Sequence, residues 1–542
     1  MKGLKKYVWL LLAMLLPLGF VACSDNNDEP EKPVVNPNPN PNQGGNNNQS
    51  VAFTDSKAYA NFFAFNVMSD VYLWKQDITS ALNAWKVMAD PVEAVKAARY
   101  KKPTGEDIDK WTQMTDAYSE MVGGTDGVST GTYGFGIKLY LKAEGSSAVV
   151  GFITYTYPGS PAEKAGLKRG DVILEVDGVE MNESNYYDAL FASKSVKVGV
   201  GHFTGKAYSA VEKTVSMESS AMYEDPIIAT KIFDCGSKKV GYLAYTSFTF
   251  ESCLGLYDVC KEFKKEGISE LILDLRYNGG GYVFTEEVLA SMLAPEAEVK
   301  AKSVFETEIW NDDYMAYYKE KGTDLNTYFR TKYSQEHNGK KYELDTSDAN
   351  IGLTKIYALV TESSASASES ILVGLMPYMD IEIIGQQTHG KYCSGIMWKG
   401  EEWYQDIVDN LKANNNDFAK LYPEYADWKK YIDDWGIYVM INMYADKDGK
   451  NPCMPDGLKP DFDAKDMFEE AYPLGDEREA MLNLALQHAG KTDLQSRVAS
   501  RSAVALPMGK EVRMKQHPLD GKRIYTGDLI RPRVVERIDS RD

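Results

Sequence analysis

Three short segments of this 542-residue chain hold the side chains best suited to covalent chemistry. The first is Thr361-Glu362-Ser363-Ser364-Ala365-Ser366-Ala367-Ser368-Glu369, which follows an apolar run and opens a helical pattern. A hydroxyl on such a strand-to-helix turn is exposed, and the helix N-terminus favours the negative charge that develops on attack. Taken alone, the run also reads as a plain helix start, with Ser363 or Ser364 as N-cap. The second segment, Thr388-His389-Gly390-Lys391, ends twenty-five residues beyond Ser366. His389 and Lys391 are two apart, so an extended backbone would turn both to one face and either could take a proton. The third, Asp274-Leu275-Arg276-Tyr277-Asn278-Gly279-Gly280-Gly281, ends a buried strand. Its glycines let N–H groups converge without Cβ atoms in the way.

Stepping outward along the chain gives the elements that must hold these residues. From 51 to 123 the apolar residues Phe62, Phe63, Phe65, Val67, Met68, Val71, Tyr72 and Trp74 recur at three- and four-residue steps, which predicts a helical cap. Gly123-Gly124 and the Thr/Gly-rich stretch to Gly134 break that pattern. Short strands and turns follow over 130–218. From 226 to 490 the texture becomes α/β: strands are predicted at Val240 to Tyr245, Leu271 to Arg276, Ile356 to Val360 and Ile381 to Ile384, with helices from Cys253 to Glu266 and from Ser363 to Met376. Strands alternating with helices predict a largely parallel, helix-covered sheet. Segments 306–350 and 397–435, rich in Trp, Tyr and charge, read as insertions, and 491–542 as a C-terminal tail without an assigned role.

Within 130–218, the run GSPAEKAGLKRGDVILEVDGVEM resembles a PDZ domain. Such domains take a peptide C-terminus as an added strand, with the carboxylate held by backbone N–H groups of the loop entering the first groove strand. The resemblance places that loop at Tyr133, Gly134, Phe135 and Gly136.

Together with "SSASASE", "HGK" and "DLRYNGGG", this order of helical cap, PDZ and core resembles the carboxy-terminal processing (tail-specific) peptidases, over about 51–490. These are serine peptidases with a Ser/Lys dyad on a crotonase/Clp-protease-like core. The implied fold is therefore multidomain: an N-terminal helical cap, a β-rich PDZ domain and an α/β catalytic core. The resemblance implies Ser366 as nucleophile and Lys391 as its general base. It implies an oxyanion hole from the N–H groups of Ala367 and of Gly279 or Gly280. Family spacing selects Lys391 over His389, which becomes a bystander at the cleft rim. The implied activity is endopeptidase cleavage of protein or peptide substrates through an acyl-enzyme, with no metal and no cofactor. The alternative is a catalytically inactive peptide-binding protein on the same scaffold.

The chemistry is coherent in its own terms. An exposed lysine is almost wholly protonated at pH 7 and cannot act as base. Burial disfavours the ammonium, and the neutral amine can then accept the serine proton and return it to the leaving amine. Many family members carry a Gln four residues after the lysine; here that position is Gly395. Asp446-Lys447-Asp448-Gly449 has too few acids for a calcium loop and is predicted to be a hairpin turn.

Composition and address narrow the setting. With 79 Asp and Glu against 60 Lys and Arg the net charge is −19, which disfavours a long nucleic-acid interface. Lys2, Lys5 and Lys6 precede a fifteen-residue apolar run, short for a membrane span and suited to a signal peptide over 1–22. Phe20-Val21-Ala22-Cys23 resembles a bacterial lipobox, which makes Cys23 the lipidated residue of a membrane-anchored chain. Residues 23–50, with nine Asn and five Pro, are predicted to be a disordered tether. Ser24 after the cysteine points to the outer membrane, and the nearby acids resemble the export signals of Bacteroidetes-type lipoproteins. The other five cysteines form no disulfide framework, with Cys393–Cys453 left open as a pair.

Overall fold

The stepped apolar residues near the N-terminus do wind into a helix, Ser56–Asp70, started by Asp55, whose carboxylate accepts the Ala58 N–H. A second, Pro91–Ala98, begins with Pro at its first position and the Asp90 side chain as cap. The computed structural model describes residues 53–85, 88–122, 125, 127–414, 427–468, 471–494, 510–512 and 522–525. The leader, Cys23 and the tether lie outside them. Among the described residues no helix is long and apolar enough to cross a membrane.

The helical region packs directly into the core. Phe53, Phe62 and Phe63 pack on Trp403 and Trp428, and strand Gln113–Thr115 pairs with the core strand Gly436–Ala445. One continuous hydrophobic core runs from Phe53 through the main core sheet. The segment read as an insertion at 397–435 therefore supplies the floor on which the N-terminal helices rest. The other, 306–350, is part of the core as well, because its first residues belong to sheet strand Val304–Trp310.

The PDZ sheet contains strands Phe135–Leu141, Ala148–Thr156, Val172–Val176, Val179–Asn182, Ser195–Gly201 and Lys213–Glu218, with helix Tyr186–Phe191 beside them. Inward residues such as Leu139, Ile153, Ile173 and Val198 give it its own core.

The main core sheet has the order Ile227–Cys235, Lys238–Tyr245, Glu270–Asp274, Lys355–Val360, Asp380–Gly385 and Phe462–Asp463. The first two form an antiparallel hairpin and the rest run parallel. Period-two alternation covers both faces: Leu271 and Leu273 pack toward helices Ser252–Lys265 and Val283–Leu293, whereas Ile272 packs toward Ala480–His488. A second sheet, not expected from the sequence, has the order Gly280–Tyr282, Lys522–Ile524, Cys393–Lys399, Gly436–Ala445, Val304–Trp310 and Asn326–Tyr328.

A segment left without a role finds its place, and one further expectation is corrected. The tail returns to the molecule: Glu511–Val512 pairs with PDZ strand Phe135–Leu141, and Lys522–Ile524 joins the second sheet. Asp446 to Gly449 makes a tight turn, with Asp446 Oδ1 accepting the Asp448 and Lys450 N–H groups, but no ladder strand follows to complete a hairpin. Cys393 and Cys453 are free buried thiols, as are Cys235, Cys253 and Cys260.

Candidate active site

Strand Lys355–Val360 delivers the serine-rich turn, but the helix starts four residues later than the sequence predicts, at Ala367. Ser366 explains the delay. Its backbone stands at φ 66°, ψ −114°, a left-handed conformation that a non-glycine residue adopts only under constraint and that cannot continue a helix. Its neighbours are fixed: Ser364 Oγ donates to Leu275 O, and Ser368 Oγ donates to Asn278 O. Neither Ser363 nor Ser364 caps the helix.

The glycine-rich turn is laced to the same place. The Ala365 N–H donates to Asn278 O, and Asn278 Nδ2 donates to Tyr245 O. Gly280 has φ 110°, and a Cβ there would lie 2.8 Å from Ser366 Cβ, so only glycine lets the two segments approach. The Gly280 N–H is committed to Asn278 Oδ1 at 2.9 Å. Among the described residues, the Gly279 N–H and that of Ala367, in the first turn of its helix, make no backbone hydrogen bond.

Lys391 lies two residues ahead of strand Cys393–Lys399 and is wholly buried, as is Ser366. Its Nζ lies 3.5 Å from Ser366 Oγ and 2.9 Å from the Tyr438 hydroxyl. The rings of Trp111 and Tyr438 stand 5.7 and 5.2 Å from the amine. Burial pushes the Lys391 pKa down to about 7, with Lys522 and Arg523 adding to the effect and Cys393 and Asp109 opposing it. His389 is exposed and leans toward Trp111.

Glu369 joins the two halves. Its Oε2 accepts the N–H groups of Ser366 (2.8 Å) and Lys391 (2.9 Å), and Oε1 accepts that of Gly390 (2.7 Å). Serine turn and lysine turn are thereby held in fixed register by one buried carboxylate. Sequence reasoning gave Glu369 no role, although Ser366-Ala367-Ser368-Glu369 has the spacing of a capping box. Tyr438 was missed as well. A Cβ on Gly395 would fall 2.7 Å from the Tyr438 ring, so the tyrosine occupies the space that a side chain at that position would need.

In the PDZ domain, Tyr133 is buried and its hydroxyl donates to Ser193 O, while Phe135 stacks on Tyr133 and faces Phe191 of the groove helix. Gly134 N–H is taken by Thr132 Oγ1, and Gly136 is paired with Tyr155 of the next strand. Arg169 reaches from this domain into the core, where it pairs with Asp466 and bonds to Tyr277 Oη, next to the glycine turn. Arg276, 1% exposed, bridges Asp274 and Glu479 in the same buried cluster. Among the described residues there is no cluster of side chains fit to hold a metal ion.

The description Peptidase family S41 matches residues 239–464, and PDZ domain matches 152–196. The chain is 27% identical over 308 residues to a "Probable CtpA-like serine protease" of Staphylococcus aureus, covering 54% of this chain and 53% of that protein. It is 28% identical over 178 residues to a "C-terminal processing peptidase, chloroplastic" of Tetradesmus obliquus, covering 30% of this chain and 38% of that one. The chain thus spans about half the length of the first of these curated relatives. A solved structure ascribed to an S41 protease of Bacteroides fragilis superimposes with a TM-score of 0.54 at 21% identity, covering 79% of this chain and 96% of that one, which establishes a common fold. The matched core, the PDZ domain ahead of it and the shared fold make the chain similar to PDZ-containing members of peptidase family S41.

Proposed function

We propose that the chain is a serine endopeptidase acting through a Ser366/Lys391 dyad. The observation that carries this reading is the wholly buried Lys391 amine, 3.5 Å from the hydroxyl of a serine held at positive φ, with its pKa pushed down to about 7. About half of such amines are neutral at pH 7, so proton transfer from Ser366 needs no third titrating group. Ser366 Oγ attacks the substrate carbonyl while its proton passes to Lys391 Nζ. The N–H groups of Gly279 and Ala367 receive the oxyanion, each such donor contributing roughly 3–4 kcal/mol. Lys391 returns the proton to the leaving amine, the peptide bond breaks, and water then releases the acyl group by the same path. Tyr438 holds the amine in place, and Glu369 fixes the distance between the two turns.

The PDZ groove, entered at Tyr133, Gly134, Phe135 and Gly136, would engage substrate C-termini or extended segments as an added strand. The basic leader, apolar run and Cys23 support a lipid-anchored location in the cell envelope, at the outer membrane. Loss of palmitate labelling in Cys23→Ser would establish the anchor, and labelling that persists would dismiss it. The activity is tested by mass spectrometry of an unfolded protein incubated with the chain beside Ser366→Ala and Lys391→Ala. Fragments that vanish in both variants are expected; fragments that survive in both, or none from the unsubstituted chain at alkaline pH, would refute the reading.

A further inference from the structure

The second sheet contains a slot one strand wide, between the glycine-turn strand Gly280–Tyr282 and the post-lysine strand Cys393–Lys399, and the chain fills it with its own Lys522–Ile524. The Tyr525 N–H donates to Gly395 O at 2.9 Å, and Tyr438 Oη donates to Arg523 O at 3.2 Å. Lys522 O lies 2.6 Å from where a Cβ of Gly280 would stand, and Ser366 Cβ lies 2.8 Å from that same point. Two successive tail carbonyls thus sit beside the serine and beside the tyrosine that holds the lysine. For Ser366 to reach a peptide bond, a substrate backbone has to run through this same place.

Arg523 turns into a pocket under the slot. Its Nε donates to Glu286 Oε2 at 2.8 Å, one terminal nitrogen donates to Ser394 Oγ at 2.7 Å, and the other bonds to Glu286 Oε1 at 3.1 Å and to Glu306. The Tyr444 ring lies 4.8 Å from the guanidinium carbon. Glu286 and Glu306 are 0% and 3% exposed, so an empty pocket would leave two adjacent carboxylates out of water and unpaired. Burial, with the Glu306 charge behind it, pushes the Glu286 pKa up to about 8 even against the Arg523 charge. Two acids and a hydroxyl arranged around a planar fork form a site for a cationic side chain, best for arginine.

The same tail touches the other proposed peptide site. Glu511 and Val512 pair antiparallel with Tyr140 and Leu139 of the PDZ groove strand, and Val512 packs on the PDZ core. This is the manner in which such a strand takes a peptide. The last 42 residues carry ten Lys and Arg against six Asp and Glu, in a chain of net charge −19.

We propose that the slot is the substrate-strand site, that Glu286, Glu306 and Ser394 form a subsite selecting an arginine or lysine side chain of an extended peptide, and that tail segments 510–512 and 522–525 occupy the groove and the slot as a built-in competitor. This rests on the dyad reading for the location of the scissile bond, and it deepens that reading by naming the substrate class and its regulation.

The test measures binding, so it does not depend on turnover. A fluorescein-labelled peptide with the sequence of residues 518–529 is titrated by anisotropy against the full chain carrying Ser366→Ala, with and without Arg523→Glu. A glutamate at 523 places a third acid in the pocket and expels the strand. Binding at least tenfold tighter to the Arg523→Glu chain is expected, with at least tenfold loss when the peptide's own arginine is replaced by alanine. A folded Arg523→Glu chain that binds neither peptide, or both equally, overturns the proposal and makes 522–525 a permanent strand. Should that variant not fold, hydrogen exchange of the unsubstituted chain decides. Amides of 523–525 exchanging at least a hundredfold faster than those of 439–441 uphold a displaceable strand, and equal protection overturns it. Failure of the peptidase reading shows separately, as absent cleavage by an Arg523→Glu chain that retains Ser366.

Discussion

Replacing Lys391 by methionine should abolish cleavage and at the same time make the protein more stable. The structure buries this amine completely and pushes its pKa from 10.5 down to about 7. Between about pH 7 and 10.5 the unfolded chain binds a proton that the folded lysine does not, so stability rises with pH across that window. Integrated from the two pKa values, the penalty is about 4 kcal/mol at pH 7 and about 2 kcal/mol at pH 9. Methionine matches the length of the stem without carrying the charge. It forfeits the bond to Tyr438, worth about 1 kcal/mol. The net gain for Lys391→Met is therefore about 3 kcal/mol at pH 7, falling to about 1 kcal/mol at pH 9. Urea unfolding followed by tryptophan fluorescence, at pH 7, 8 and 9 for both proteins, measures it. A variant no more stable than the parent at pH 7, or a gain that does not shrink as pH rises, would refute the claim that the folded site holds a lysine poised to lose its proton.

Three other outcomes follow from the same geometry. Below about pH 7, kcat/KM should rise about tenfold per pH unit and then level off, because only the neutral amine of Lys391 accepts the serine proton; a profile flat from pH 5 to 8 would exclude Lys391 as the base. Gly395→Gln should lower kcat at least tenfold and cost about 1–3 kcal/mol, since the new side chain must displace Met440 and Tyr438, which stand 2.5 and 2.7 Å from its Cβ; peptide assays and thermal unfolding read the two effects. Arg169→Met should destabilise the chain by about 3 kcal/mol by stripping a cation from buried Asp466 and Glu479. A loss under about 1 kcal/mol in urea unfolding would mean that Arg276 alone satisfies both acids.

The sequence resolved what local pattern encodes. Apolar runs such as Leu271 to Leu275 and Ile356 to Val360 are buried on both faces, so composition alone marks them as central strands. The serine turn and the lysine turn were legible because nucleophile and base each sit inside a short motif. What was hidden depends on partners distant in sequence. Tyr438 meets Lys391 across 47 residues, and Glu286 meets Arg523 across 237. Nothing near Tyr438, Glu286 or Arg523 marks it as functional. The strands Gly280–Tyr282 and Lys522–Ile524 are three residues each, too short for any periodicity, and exist because each completes the other's ladder. The N-terminal helices read as a separate domain because their apolar stripe was visible while its covering surface, Trp403 and Trp428, lay more than 300 residues away.

The continuous core has a consequence for how this protein can be divided. The S41 match runs over 239–464, yet Arg276 inside it is neutralised by Glu479 beyond it, Asp466 lies just past its edge, and Phe53, Phe62 and Phe63 close over its Trp403. The inherited module is smaller than the cooperative folding unit. A fragment cut at the module's borders would carry a buried guanidinium with two of its three carboxylates gone and an aromatic face open to water. It should aggregate, whereas a chain beginning before Phe53 keeps that face covered. Chimeras that exchange S41 cores between relatives would, by the same logic, have to carry the N-terminal helices and the helix Ala480–His488 along with the core they serve.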